Sequence, residues 1–439
     1  MVKLALPVMG MSVFQLFYNF VDMVWVGKLG TDAVSAVGTV SFMLSMSLAV
    51  GAFVNNGAGV KTSHAVGAKD RKKAGSYVAT GLLGMSFIGC LSAFVLLFFP
   101  EQLVGFFELE APEVVRMAQG YLTVIAWGLP FSLTNILFTS AFNAHGLTRT
   151  SFRINATGTL LNLLLDPILI FGLDMGVEGA AMATVFAHIL VFAGFLVRIL
   201  RYRDLPIFIP GISFRKLGDI LRIGGPIGVQ RVIFMSVSVL LAKIIILWGT
   251  TGIAVQKIGL QLEAITYMAL WGITSALQIM IGQQFGSKDF RKLRETYYAG
   301  IKLAFVISLV SSSLFVFFPE YLFRIFVDEP ETLALGRNYL MILGVSQLFM
   351  SVEYTSAGAF NALGKSYMNA SVSVVFTLAR IPLALFLSQY LGWGLNGVWW
   401  SITFSSMVKG SLLSGLFLLE LKKIEAKESG AANGSTLTA

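Results

Sequence analysis

Apolar residues along this chain fall in long blocks rather than in the narrow stripes of a surface helix. A block of about 20 mostly apolar residues is what a helix needs to cross the hydrocarbon core of a bilayer. Twelve such blocks are present, at roughly 4–27, 34–62, 76–99, 118–142, 153–173, 177–200, 221–247, 253–281, 296–318, 337–361, 367–391 and 394–420. Between them stand Gly-Lys-Leu-Gly at 27–30, Pro100, Gly146, Gly176, Trp248-Gly249, Pro319, Gly364 and Gly392. The pattern predicts twelve membrane helices, numbered here as spans one to twelve. The first block begins at the initiator end and is too long for a cleaved signal. The residues from about Ser429 onward are small and polar, as in a frayed or appended tail.

Composition agrees with this pattern. Of 439 residues, 56% are hydrophobic and 13% charged, with mean hydropathy +0.78. Soluble globular proteins carry about 25% charged residues, so half that share cannot wet a water-facing surface. A soluble enzyme, a disordered chain and a secreted disulfide scaffold are excluded. A single cysteine, Cys90, permits no internal disulfide, and His64, His145 and His188 are too scattered for a helical metal motif. No nucleophile–base pair marks an intramembrane enzyme, and no resident cofactor is expected.

The net charge of +9 follows from topology. Cytoplasmic loops gather Lys and Arg. With the N-terminus inside, inner loops and ends hold 22 basic residues and outer loops only Lys28, Arg116, Arg324 and Arg337. Both termini are therefore expected in the cytoplasm, in a multi-pass protein of the inner (cytoplasmic) membrane. Nucleic acid, the rival explanation of a basic chain, is not expected as a partner.

The two halves resemble each other. Val66-Gly-Ala-Lys-Asp-Arg-Lys-Lys matches Phe285-Gly-Ser-Lys-Asp-Phe-Arg-Lys, and Phe98-Phe-Pro-Glu101 matches Phe317-Phe-Pro-Glu320, both at an offset of 219. Ala141-Phe-Asn-Ala-His-Gly146 matches Ala359-Phe-Asn-Ala-Leu-Gly364, and Gly176-Val-Glu-Gly179 matches Gly394-Leu-Asn-Gly397, at 218. Pro7 and Pro226 stand near the start of each half. Six spans per half is an even number, so both halves face the same way, with a central cleft between them as the natural substrate site. The expected architecture is an all-α membrane protein of two pseudo-symmetric six-helix bundles: 1–200, a cytoplasmic linker at 201–220 with Pro206 and Pro210, 221–420, and a cytoplasmic tail at 421–439.

Four acids fall inside spans: Asp22, Asp166, Glu263 and Glu353. A carboxylate at the centre of a membrane helix costs about 2.5–3.5 kcal/mol on insertion scales, so each needs a reason. In span one, Ser12, Gln15, Tyr18, Asn19 and Asp22 share a helical face at spacings of three and four. Pro7 lies early in that span and is a candidate hinge, since it removes a backbone hydrogen bond. In span five, Asn155, Asn162 and Asp166 form a second stripe, and Pro167 leaves the Leu163 carbonyl without its usual donor. Asn143 in span four and Thr184 in span six can complete an oxygen-rich pocket. Such carboxyls can exchange a proton near neutral pH, or the same oxygens can hold a sodium ion. Asn and Thr are also common glue between membrane helices. Glu263 and Glu353 lie among Arg231, Lys243, Lys257, Lys302, Arg380 and Lys409, so a structural ion pair competes with a substrate-cavity role. The Phe and Met content gives adaptable apolar walls, although both residues also face lipid.

These features resemble the multidrug and toxic compound extrusion (MATE) transporters over nearly the whole chain. The likeness rests on twelve spans in two repeats and on the run Asn19-Phe-Val-Asp-Met-Val-Trp-Val-Gly-Lys-Leu-Gly30. It also rests on Gly67 with Lys69, Asn143-Ala-His-Gly, and Asn162-Leu-Leu-Leu-Asp-Pro167. Asp22 with Asn162 and Asp166 is similar to the DinF-like branch. Carried over by position, a polar network of Tyr18, Asp22, Asn143, Asn162, Asp166 and Thr184 would couple to H+ or Na+. The NorM branch has a further carboxylate in span seven, whereas Pro226-Ile-Gly-Val-Gln-Arg-Val-Ile-Phe234 has none, so a NorM-type cation site is not expected in the second half. The resemblance implies a monomeric antiporter, not an enzyme, that exports organic cations or amphipathic drugs by alternating access. A lipid-linked precursor flippase of related architecture is the alternative, although it would carry more cations in its central cavity. A channel fits the twofold repeat with lone buried acids less well.

Overall fold

From the second apolar block onward, a helix occupies each predicted position. The computed structural model describes residues 7, 10, 14, 18, 21–109, 111–201 and 213–435; among these there are helices, turns and no strand. Ser12, Gln15, Asn19, Pro206 and Pro210 lie outside the described residues. Residues 21–27 form the helical end of span one. The spans that follow include Thr31–Gly67, Arg71–Phe98, Thr148–Gly172, Gly176–Arg201, Phe214–Trp248, Thr251–Gly286, Phe290–Phe317, Pro330–Ala362, Ser366–Tyr390 and Gly394–Ala426. Span four is a bent pair, Pro112–Ala126 and Leu129–Ala144, meeting at 51°. The bend falls at Trp127-Gly128, just before Pro130, whose missing N–H weakens helix continuity there. Ten single helices and the bent pair thus give up to eleven spans among the described residues, beyond span one, and the chain is a multi-pass membrane protein.

The internal repeat extends to the backbone. Lys69 and Lys288 both take left-handed angles, φ 57° and 59°, and Asp70 and Asp289 then cap the next helix. Each cap accepts a backbone N–H three residues on, Lys73 at 2.9 Å and Lys292 at 3.1 Å. The Lys292 ammonium also bonds the Asp289 carboxylate at 2.7 Å. Together these bonds hold the Asp289 carboxyl below the usual carboxylate range. Its contribution is therefore complete at neutral pH and is lost only as pH falls through that lowered value. Phe99 and Phe318 turn the chain with almost identical angles, φ −126° and −127°, into short helices opened by Pro100 and Pro319. A single π-helical turn ends span five at Ile168–Gly172 and span eleven at Phe386–Tyr390. The shared motifs thus encode turns and caps. Asp70→Ala is expected to cost about 1 kcal/mol of stability, as N-cap losses do. Asp70→Asn keeps the acceptor and should leave thermal unfolding in detergent near wild type.

Two compact units result, Leu6–Gly228 and one running from Val229 onward. The first has a core around Val26, Val40, Leu122 and Ile125; the second is built around Trp399, Tyr339 and Phe323. The opening of span seven packs in the first unit for a steric reason. Gly224 and Gly57 let backbones touch: a Cβ at Gly224 would stand 1.7 Å from the Phe53 carbonyl oxygen, and one at Gly57 2.0 Å from that of Ile220. Polar ties secure the crossing. Tyr77 donates to Asp219 at 2.9 Å, and the Lys216 ammonium bonds the Ser76 hydroxyl. Gly224→Ala should therefore destabilise by about 1–3 kcal/mol, the usual cost of overpacking. A Cβ at Gly218, exposed on the same helix, would meet no atom within 4 Å, so Gly218→Ala should raise the melting temperature slightly through helix propensity.

Candidate functional site

The first unit brings four of the six expected network residues into one bonded chain. Tyr18, in span one, has its hydroxyl 3.4 Å from Thr184 Oγ1 in span six. Thr184 faces Asn162 in span five. With the Asn162 nitrogen turned toward Asp166, it donates to Asp166 Oδ2 at 3.0 Å, while its oxygen accepts the Thr184 backbone N–H at 3.1 Å. This orientation gives each amide atom a complementary partner, which decides it. Asp166 is fully buried, and among the described residues its Oδ1 meets no hydrogen-bond donor. Asp22 stands one helical turn beyond Tyr18, on the same face. It lies within electrostatic range of Tyr18 and Asp166. Pro7 is helical and half-buried, eleven residues before Tyr18.

Asn143 is not brought to the carboxylates. It accepts a hydrogen bond from Ser151 at 2.6 Å, joining the end of span four to the start of span five. Ser151 lies about 22 Å along the span-five helix from Asp166, at 1.5 Å per residue. The repeat explains this placement. At the offset of 218, Asn143 and Ser151 correspond to Asn361 and Asn369, which bond each other at 3.4 Å in the second unit. A contact made in both repeats belongs to the common frame. Asn155 is likewise engaged with Thr139 at 3.0 Å.

Applied to the acids, the same comparison gives the opposite result. Asp166 corresponds to Ala384, Thr184 to Ile402 and Asn162 to Arg380; Asp22 and Tyr18, at 219, correspond to Leu241 and Val237. The acid pair is therefore particular to the first unit and is not required by the six-helix frame. Tyr121 is a further hydroxyl near these acids, beyond the six residues expected from the sequence. It is buried on span four, within electrostatic range of Asp22, Tyr18 and Asp166. Its counterpart Tyr339 also lies beside a buried acid, so aligning the halves residue by residue carries the signal for it.

In the second unit the buried acids are satisfied. Tyr339 and Tyr267 donate to the two oxygens of Glu263, at 2.5 and 3.2 Å. Glu353 pairs with Lys409 at 2.6 Å, with side chains 12% and 5% exposed. Arg380 is buried and donates to Ser405 at 3.0 Å and Ser406 at 3.3 Å, with Phe234 5.9 Å from its guanidinium. Glu263 and Glu353 thus each hold protein partners. Among the described residues no group of three His, Cys, Asp or Glu could hold a metal ion.

Comparisons with known proteins agree with the repeat. A MatE family model matches residues 7–168 and 226–386, once in each half. The probable multidrug resistance protein NorM of Thermotoga maritima is 27% identical, covering 96% of this chain and 92% of its own. The probable multidrug resistance protein YoeA of Bacillus subtilis is 25% identical, covering 95% and 92%. A crystal structure of a MATE protein in the bent conformation is similar in fold, with TM-score 0.91 at 23% identity, covering 98% of this chain and 96% of the other.

Proposed function

The chain belongs to the MatE family, and from that premise we propose that it is a secondary active multidrug exporter. It moves cationic or amphipathic organic compounds out of the cytoplasm in exchange for H+ or Na+. The observation that carries this reading is the buried Asp166, whose Oδ1 has no partner among the described residues, within electrostatic range of a second acid, Asp22. A buried carboxylate oxygen without a donor is costly, and binding a proton or a cation offsets that cost. Asp22 and Asp166 are the ion acceptors, and Asn162, Thr184 and Tyr18 transmit occupancy between spans one, five and six.

Coupling requires ion and drug to prefer different states or to compete for one site. In this mechanism, ion entry from outside neutralises Asp22 and rearranges its surroundings. Span one then bends near Pro7, and the drug leaves. The basic loops and the bacterial relatives support a place in the inner (cytoplasmic) membrane with both ends in the cytoplasm. Ethidium-like dye efflux from proteoliposomes under an imposed pH gradient, with and without sodium, tests the proposal. Efflux that follows either gradient supports it and identifies the ion. Efflux indifferent to both gradients would overturn the antiport mechanism.

A further inference from the structure

Where spans five and six meet at their basic ends, an open pocket of about 450 Å³ is lined by Arg153, Arg198 and Arg201, with Thr150, Ile154 and Val197. Its volume falls among those of ligand sites, about 300–1,000 Å³. No acid lines it. The helix ends explain two of the arginines only in part. Arg198 and Arg201 stand in the last turn of span six, where cations favour the helix dipole. Arg153 lies toward the amino-terminal end of span five, where that field gives no gain. Gly194 allows the approach, since a Cβ there would meet Ile154 at 3.1 Å.

The six-helix frame does not require this charge either. At the repeat offset of 218 the three arginines correspond to Ser371, Leu416 and Leu419. Apolar surface adjoins the pocket: Val197 is 57% exposed and Leu200 66%. Three guanidiniums at the membrane boundary, beside a lipid-facing apolar wall, suit a ligand with an anionic head and an acyl tail. Basic pockets between membrane helices on the cytoplasmic side bind such head groups.

The geometry points to a binding site for an anionic phospholipid of the cytoplasmic leaflet, its phosphate held by Arg153, Arg198 and Arg201. Guanidinium forks match phosphate oxygens in pairs. Thr150 adds a hydroxyl, and the acyl chains run along Val197 and Leu200.

The test uses the full chain in nanodiscs and the binding of spin-labelled phosphatidylglycerol against spin-labelled phosphatidylcholine. Wild type should prefer the anionic lipid. Each Arg→Gln change should weaken that preference about fivefold, and all three together on the order of a hundredfold. A control variant, Arg71→Gln with Lys72→Gln and Lys73→Gln, removes equal charge from another loop and should keep most of the preference. Equal loss in control and pocket variants, or no loss in the pocket variant, would overturn the site. Should the triple variant not fold, Arg153→Gln and Arg201→Gln, both at exposed positions, are read singly by the same measure. Inorganic phosphate and glycerol phosphate are added as competitors. Displacement only above millimolar concentration supports the lipid, and tight soluble-phosphate binding without lipid preference overturns it.

Discussion

Asp166→Asn and Asp22→Asn are expected to abolish ion-coupled export while leaving a folded, monodisperse protein. An asparagine matches the shape of a protonated aspartate but neither releases a proton nor balances a cation. Asp166 stands fully buried with one oxygen unbonded among the described residues, so its ionised form has little to hold it apart from a bound ion. Removing the ionisable group should remove the coupling free energy, typically worth about 5–150-fold. Dye efflux driven by the preferred ion gradient should drop within that range in either variant. The two acids lie within electrostatic range of each other, so as parts of one ion site the double variant should add little beyond the stronger single. Wild-type export by both single variants would remove the acids from the mechanism. Glu263→Gln provides the contrast. Both Glu263 oxygens already accept tyrosine hydroxyls, so this change should affect stability more than gradient dependence.

Lys409→Met alone should lower stability by about 3–5 kcal/mol, because it strands Glu353 as a buried, unpaired charge. The pair is close, at 2.6 Å, and nearly closed to solvent. The double variant Glu353→Met with Lys409→Met should recover most of the loss, since buried ion pairs exchange for apolar residues of similar size at little net cost. Thermal unfolding of the singles and the double forms the cycle. Transport by the double variant gives the second reading. Retained export assigns the pair to packing. Lost export at restored stability returns Glu353 to substrate or ion handling.

The spans were legible because the bilayer imposes a simple rule: a crossing helix shows as a long apolar run. The helices nevertheless outrun those runs. Thr31–Gly67 has 37 residues where the apolar block covers 34–62, because backbone hydrogen bonding continues past the hydrocarbon until a cap or a positive φ ends it. The 51° bend in span four was not read from the sequence. Apolar character runs straight through Trp127 and Gly128, and only the local pairing of Gly128 with Pro130 marks the break.

The sequence by itself determined the all-helical membrane architecture, the repeat and the unusual acids, since each depends on composition, periodicity or an offset along one chain. Only the tertiary structure decided which polar residues meet. It placed Asn162 and Thr184 beside Asp166, sent Asn143 to Ser151, added Tyr121, and gave Glu353 to Lys409. Helical spacing fixes which face a side chain occupies. What lies opposite that face depends on how helices distant in sequence pack, and contacts such as that of Gly224 with Phe53 set this packing.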